Sequence, residues 1–433
     1  MDDLEFDEAL PLLSVPAEVH DPRTLSRRRF IQGALLAGAA TALPVIRGTD
    51  RAGAASPVGA GDGILVVAFL GGGNDGLNTL VPQSGPARAR YDQIRPAVSV
   101  PAASLLPVGG GWGLHPSLGA LQARYRRGQV ALVQGAGIAE PDLSHFTATA
   151  RTMRGSFNGA ASGWLGRYLD ELPDWDSGMR AMAVASSVPL YLVGARAKVT
   201  AIPSHGSLWG ADRSDPQEAL LMDAVSQLGS QPSGLGRWGD ALAANGRDAV
   251  RQAQVVDRIV QPSPGAPGLP LDLTLAARLV NADLGTRVVG VTLKGWDTHY
   301  AQAGLHAQLL AELDFAIEQF FATLANAYRS RVTLLVQSEF GRRPEQNGSL
   351  GTDHGTANLM ILAGQNVRGG LHAAAPSLDR LDGRGNLVPS VDHRSVYGSV
   401  LERWLGADGR QVLGGSFEHL DLFAAPPGAP RPA

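Results

Sequence analysis

Carboxylates and imidazoles stand beside apolar segments of this sequence, in spacings that suit a metal site. Trp296-Asp297-Thr298-His299 puts an acid and an imidazole two positions apart, and in an extended segment both face the same side. Asp353-His354 repeats the pair beside another apolar segment. The chain has no cysteine, which excludes thiolate catalysis and zinc–thiolate sites. Oxygen and imidazole ligands therefore predict a divalent ion, Zn, Mn, Mg or Ca.

Other polar residues follow apolar runs in the same way. Asn74 and Asp75 come after the run 64–70 and a set of glycines, and Glu339 follows the run 332–336. A run that is apolar on both faces is typical of a buried parallel strand, and ligands collect at the carboxyl edge of such sheets. We therefore expect Asn74, Asp75 and Glu339 to share one composite site with Asp297, His299, Asp353 and His354. The alternative for each pair is a solvated surface loop.

Ser144 is a further candidate site residue. It stands at the natural N-cap of a helix predicted over 144–153, where free backbone N–H groups favour an anion. Its hydroxyl would point outward there, beside those N–H groups. A plain helix cap is the alternative interpretation of Ser144.

Several familiar catalytic and cofactor motifs are absent or weak. The sequence contains neither Gly-x-Ser-x-Gly nor His-Glu-x-x-His, which argues against an ordinary α/β-hydrolase and a zincin. Gly71-x-Gly73-x-x-Gly76 formally matches a dinucleotide fingerprint, but Asp75 stands where a pyrophosphate would approach, and no helix is evident after Gly76. We interpret these glycines as a turn that directs Asn74 and Asp75 into a site, or only as a turn.

The first 54 residues have the layout of an export signal. Ser26-Arg27-Arg28-Arg29-Phe30 precedes an apolar stretch over 31–46, and Ala52-Gly53-Ala54 offers a cleavage site. The arginine pair resembles the twin-arginine (Tat) signal, which implies recognition by the Tat translocase and a periplasmic or extracellular protein. A chance basic cluster is the alternative. No later segment is long and apolar enough to span a membrane.

Length and composition predict a large globular protein. The chain has 433 residues, is 44% hydrophobic and carries a net charge of −3, which gives no field for steering a nucleic acid. Apolar runs alternate with amphipathic segments, which predicts a mainly parallel sheet with helices on both faces. Residues 55–433 are interpreted as one domain with a helical insertion and a Pro-rich linker around 207–270. The predicted strands are 64–70, 130–133, 182–185, 190–193, 287–293, 332–336 and 359–363, and the predicted helices include 118–125, 144–153, 271–284 and 306–327.

Taken together, the motifs resemble a bacterial family known as domain of unknown function 1501, whose members often carry a Tat signal. The matching stretches span about 62–424 and are Phe69–Asn78, Gly113–Pro116, Ser144–Phe146, Gly163–Arg167, Gly295–His299, Ser338–Arg342, Thr352–Asn358, Asp392–Tyr397 and Val412–Phe417. That family looks like a distant branch of the alkaline phosphatase and sulfatase superfamily. The resemblance implies a three-layer α/β/α fold and a two-metal site, with Asn74, Asp75, Asp297, His299, Glu339, Asp353 and His354 as candidate ligands. It also implies that Ser144 is the nucleophile, whose hydroxyl, activated by a metal, would attack a phosphorus or sulfur atom, while Arg342 would help to neutralise the oxygens of the substrate. The Asp-His pair that the superfamily places after one strand is Ser338-Glu339 here.

Two functions from different classes follow from these observations. The first is an exported metal-dependent hydrolase of phosphate or sulfate esters, acting on a small-molecule or glycan ester. The second is a non-catalytic exported binding protein that retains a sulfatase-like fold. Metal content separates the two, because a protein that only binds need keep no ion, or only one.

Overall fold

A computed structural model describes residues 55–138, 142–156, 160–203, 215–230, 236–257, 259–260 and 269–431. The export signal predicted over 1–54 lies outside the described residues. So do residues 204–214 and 261–268, which include most of the predicted Pro-rich linker. Within the described ranges, no helix is both long enough and apolar enough to cross a membrane.

The centre of the molecule is a mixed, mostly parallel β-sheet. Its strand order is β11-β5-β10-β9-β1-β8-β6-β7, with β12 paired to β5. Only β10 is antiparallel to its neighbours in this sheet, among the strands that the structure describes. The sheet strands are β1 (Ile64–Leu70), β5 (Val130–Gly137), β6 (Ala181–Val184), β7 (Thr200–Ile202), β8 (Val288–Leu293), β9 (Val332–Gln337), β10 (Asn358–Ala363), β11 (Gly370–His372) and β12 (Val391–Asp392), and a small second sheet contains β2 (Leu80–Pro82), β3 (Leu106–Gly109) and β4 (Trp112–Leu114).

Helices cover both faces of the central sheet. The helices in the described ranges are α1 (Gly76–Thr79), α2 (Gly85–Ile94), α3 (Gly119–Arg126), α4 (His145–Arg154), α5 (Trp164–Asp170), α6 (Pro216–Leu228), α7 (Gly236–Asp257), α8 (Leu269–Asn281), α9 (Gln302–Thr323), α10 (His393–Val400) and α11 (Gly409–Leu413). A π-helical segment, Leu401–Leu405, extends α10.

Alternate side chains of β1 enter two different cores. Val66 and Ala68 pack with residues of α3, α8 and α9, whereas Leu65 and Val67 pack with residues of α4, α5, α10 and α11. Because successive side chains of a strand point to opposite faces, a strand that is buried along its whole length must be covered on both sides. The α/β/α arrangement of three layers expected from the sequence is therefore confirmed.

Most predicted elements are present with small shifts of their ends. The segment predicted as a strand over 190–193 is instead a 3-10 turn, Leu190–Leu192, preceded by Pro189. The region around 207–270 contains α6 and α7, which pack against each other. The prediction that no helix follows Gly76 is wrong, because the one-turn helix α1 begins there and Asp75 caps it.

Candidate metal centre

Three loops leave the same edge of the sheet. Strand β1 pairs in parallel with both β8 and β9, with Leu70 beside Leu293 and Phe69 beside Gln337. The segments that follow these strands therefore start side by side, as expected from the apolar runs. Gly72 lies in the first of them at φ +124°, and a side chain there would meet the backbone nitrogen of Asp297 at 2.4 Å. A residue without Cβ lets the loops after β1 and β8 touch.

Antiparallel β10 brings a fourth segment to this edge. Asp353 and His354 precede β10, and in a parallel strand a preceding residue would lie at the opposite edge. The antiparallel pairing of Ile361 with Val336 reverses that direction, and a bridge between Arg342 and His354 fixes the segment beside the loop after β9. Asp353 and His354 therefore lie at the same edge as Asp297 and Glu339, although the strand that they precede is antiparallel.

Three imidazoles converge on the carboxylate of Asp297. Its Oδ1 lies 3.0 Å from His299 Nε2 and 3.1 Å from His354 Nε2, and its Oδ2 lies 3.3 Å from His145 Nε2. The Nε2 atoms of His299 and His354 are 2.8 Å apart. The side chains of Asp297 and His299 are 44% and 40% exposed, so the cluster is open to solvent.

Each imidazole of the cluster is held at its other nitrogen by an oxygen atom. Nδ1 lies 3.2 Å from Asp353 Oδ1 in His299, 2.8 Å from the Leu143 carbonyl in His354 and 3.0 Å from Glu339 Oε1 in His145. Because these oxygens accept a hydrogen bond from Nδ1–H, Nε2 is left as the ligating nitrogen. Histidines that bind metals commonly have this outer support from a carboxylate or a carbonyl.

Neighbouring charges keep Asp297 ionised. Burial alone would raise its pKa, but the hydrogen bond and the charge of Arg342 outweigh that effect and lower it to about 2. Burial lowers the pKa of His354, which favours the neutral ring. A hydrogen bond from Asn347 lowers the pKa of Asp353. An ionised carboxylate beside a neutral imidazole is the protonation state that a metal ligand set requires.

The guanidinium of Arg342 is buried and faces several acceptors. Nε donates to the Gly73 carbonyl and Nη1 donates to the Thr352 carbonyl, both at 2.8 Å. NH2 donates to Asp297 Oδ1 at 2.6 Å, to the Trp296 carbonyl and to Gly72. Arg342 therefore positions Asp297 and ties the loops together, which is a different role from the substrate clamp expected from the sequence.

The structure turns Asn74 and Asp75 away from the three imidazoles of the cluster. Asp75 is 1% exposed, and its Oδ2 accepts hydrogen bonds from Arg95 at 2.6 Å and from Gln302 at 2.5 Å. Asn74 Oδ1 lies 3.0 Å from His306 Nε2. Both side chains expected to be ligands are thus engaged in buried contacts behind the site. Glu339 and Asp353 do reach the cluster, as supports for histidines.

Ser144 is the N-cap of α4, as expected, and lies between two residues that contact the cluster. His145 follows it, and the carbonyl of Leu143 before it holds His354. The hydroxyl makes no capping hydrogen bond, and the residue is exposed. A hydroxyl at this position is accessible to a substrate that reaches the cluster.

The donor set fits a divalent cation. Ligand atoms of His145, Asp297 and His354 all lie within 4.8 Å of one another, and His299 approaches Asp297 and His354 from the adjoining side. A tetrahedral ion bound at about 2.0–2.2 Å separates its ligand atoms by roughly 3.3 Å. The contacts of Asp297 with the three imidazoles and of His299 with His354, at 2.8–3.3 Å, are close to that separation. Imidazole-rich sites suit Zn²⁺ and similar metals better than Mg²⁺ or Ca²⁺.

Sequence reasoning did not select His145 as a ligand. It stands alone, without the neighbouring acid that marked His299 and His354, and its partners Asp297 and Glu339 are 152 and 194 residues away. The signal that could have found it is its place directly after Ser144, at the first position of the same predicted helix. If the Ser144 hydroxyl lies close to the metal, His145, the next residue, lies close to it as well.

The family comparison matches the model described as "Protein of unknown function (DUF1501)" over residues 64–382. The chain belongs to this family. No curated protein matches it. Two similar solved structures are Ps i-CgsB in complex with k-i-k-neocarrahexaose (9% identity, TM-score 0.37) and Ps i-CgsB (10% identity, TM-score 0.33). Each comparison covers 82% of this chain and 73% of that chain.

Proposed function

We propose that this member of the DUF1501 family is an exported hydrolase of phosphate or sulfate esters that uses one divalent metal ion. The observation that carries the proposal is the convergence of three Nε2 atoms on Asp297 while every Nδ1 is held by an oxygen. Three neutral imidazoles would present lone pairs to a carboxylate, and a cation between them removes that conflict. The motif resemblance to the alkaline phosphatase and sulfatase superfamily supports the choice of ester.

The ion would be held by His145, Asp297, His299 and His354. When bound, it supplies Lewis acidity, which polarises the ester and lowers the pKa of a nearby hydroxyl. Ser144 Oγ attacks phosphorus or sulfur, its bond to that atom forms as the ester oxygen bond breaks, and the alcohol leaves with a proton. Water then cleaves the serine ester, which releases phosphate or sulfate and restores the hydroxyl. The free N–H groups at the start of α4 stabilise the anionic group.

The first test is metal content and turnover of the wild-type protein together with His354→Ala. We expect about one bound ion per chain in the wild type, and His354→Ala should lose it. The wild type should also melt at a higher temperature with metal than without, because an ion that binds only the native state stabilises it. Wild-type protein that binds no Zn²⁺ or Mn²⁺ at micromolar concentration would refute the metal centre.

The second test separates a nucleophile from a helix cap. Ser144→Ala should abolish hydrolysis of generic phosphate and sulfate esters while it keeps the ion. Ser84→Ala is the matched control, because Ser84 is also an exposed N-cap residue that makes no capping hydrogen bond. Full activity in Ser144→Ala removes the nucleophile assignment. A metal-loaded wild type that hydrolyses none of these esters favours the binding protein.

A further inference from the structure

Glu339, the carboxylate that supports His145 at the candidate metal centre, borders a cavity of about 30 Å³. Gln337, Glu339 and His393 are among its lining residues, and we refer to it as the Glu339 cavity. These residues come from the end of β9, the loop that follows it and the first position of α10. The side chains of Glu339 and His393 are 3% and 8% exposed, and Gln337 is 1% exposed.

Each of these three side chains has one buried polar atom that makes no hydrogen bond with the described part of the chain. The atoms are Glu339 Oε2, His393 Nε2 and Gln337 Nε2. The other end of each side chain is engaged: Glu339 Oε1 accepts from the Gly72 amide at 2.8 Å, His393 Nδ1 lies 3.4 Å from the Gly137 carbonyl, and Gln337 Oε1 accepts from Tyr397 at 2.8 Å. Buried polar atoms left without partners cost about 1–3 kcal/mol each.

The three atoms have complementary hydrogen-bonding roles. A carboxylate oxygen only accepts, and His393 Nε2 accepts because its proton is on Nδ1, toward Gly137. The amide nitrogen of Gln337 donates. Burial also lowers the pKa of His393 to about 4, which keeps the ring neutral. One molecule that donates twice and accepts once satisfies all three atoms.

We propose that the Glu339 cavity binds one internal water, which donates to Glu339 and His393 and accepts from Gln337. Its size agrees, because a cavity of about 10–15 Å³ is the least that admits a water, and buried waters typically make about three hydrogen bonds. A metal ion fits less well, since the donor nitrogen of Gln337 faces the same space. Within the described residues, the one group of three or more acids and histidines close enough to share an ion is at Asp297.

This water has a consequence for the metal centre, and that part of the inference rests on the proposed function. It fixes the rotation of the Glu339 carboxylate, so that Oε1 stays on His145 Nδ1 at 3.0 Å. His393 and Gln337 are therefore positioning residues for a metal-binding histidine that they do not touch. Loss of such outer support commonly reduces metal affinity about 10–100-fold.

The water itself is tested by a crystal structure of the metal-free wild-type protein at high resolution. We expect one ordered water within hydrogen-bonding distance of Glu339 Oε2, His393 Nε2 and Gln337 Nε2. An empty cavity, or an ion identified there by anomalous scattering after a Zn²⁺ soak, overturns the proposal. This measurement does not depend on whether the protein is a hydrolase or binds metal at Asp297.

The positioning role is tested by Zn²⁺ affinity, measured in competition with a chromogenic chelator. His393→Phe fills the cavity and should weaken Zn²⁺ binding about tenfold. His115→Phe is the matched control, because His115 is another buried histidine, and it should keep wild-type affinity. Gln337→Met provides a second variant if His393→Phe fails to fold. Wild-type affinity in the folded cavity variants refutes the positioning role, whereas a wild type that binds no Zn²⁺ refutes the metal centre instead.

Discussion

The buried pair of Asp75 and Arg95 gives the sharpest test of which acidic residues bind metal. Arg95 NH1 lies 2.6 Å from Asp75 Oδ2, and the two side chains are 0% and 1% exposed. Asp75→Asn keeps the size of the side chain and its ability to cap α1 but leaves the guanidinium without its countercharge. Breaking a buried ion pair from one side costs about 3–5 kcal/mol. That is a large fraction of the roughly 5–15 kcal/mol by which proteins are typically stable.

The assay is urea unfolding together with metal content. Asp75→Asn should lower the free energy of unfolding by about 3–5 kcal/mol and leave the number of bound ions unchanged. Asp92→Asn is the matched control, because the partner of Asp92 is also an arginine, Arg88, but its side chain is 48% exposed. The control should lose less than about 1 kcal/mol. A variant with wild-type stability that has lost metal would show that Asp75 is a ligand.

The acid dependence of stability adds a second readout to the same pair. Burial alone would raise the pKa of Asp75, but the Arg95 charge and hydrogen bonds lower it below its ordinary value. A carboxyl whose pKa is depressed by folding stabilises the protein above its unfolded pKa, and this contribution is lost as the pH falls. The wild type should therefore lose more stability than Asp75→Asn between about pH 5 and pH 2. Parallel curves for the two proteins would contradict this reasoning.

Three further predictions concern other parts of the chain. Burial lowers the pKa of His306 to about 4, so the wild type should lose stability as the pH falls from about 6.5 to 4. His306→Gln should reduce this dependence of the free energy of unfolding on pH, measured by urea unfolding, and equal dependences in the two proteins would contradict the prediction. Arg342→Lys cannot reproduce the planar set of hydrogen bonds to Asp297 and the surrounding carbonyls. The free energy of unfolding should therefore fall by about 3 kcal/mol, and an unchanged unfolding midpoint would argue against the positioning role. The double substitution Arg27→Lys with Arg28→Lys should leave the precursor in the cytoplasm on cell fractionation, whereas normal export would remove the Tat assignment.

The sheet could be predicted from the sequence because its strands are apolar along their whole length. The run 64–70 is strand β1 with the same bounds, and the strands expected near 288 and 332 pair with it as parallel neighbours. Continuous apolar runs identify buried strands, and the carboxyl-edge rule places the residues after them. Strand direction was harder: nothing in the apolar segment that becomes β10 distinguishes an antiparallel strand from a parallel one.

Side-chain direction at the site could not be predicted, because neighbours in sequence point to different surroundings. Asp297 faces the histidine cluster, whereas Trp296 beside it is buried and packs edge-on against His306. Asp75 lies in the loop after β1, as Asp297 lies in the loop after β8, yet Asp75 faces Arg95. The partner that decides this is 20 residues further along the chain, in the C-cap of α2, where the sequence carries no sign that its guanidinium will be buried.

The fate of Asp75 bears on how many ions the site can hold. The motif resemblance implies a two-metal site, in which the acid after the first strand, Asp75, would bind one ion. Here the Arg95 guanidinium neutralises that acid, and Gln302 donates a hydrogen bond to it. Gln302 Oε1 also accepts from Thr298 and Thr352, the residues beside Asp297 and Asp353. A carboxylate bound in this way holds together the loops that carry Asp297 and Asp353. A second ion bound by Asp75 would have to displace the buried guanidinium of Arg95.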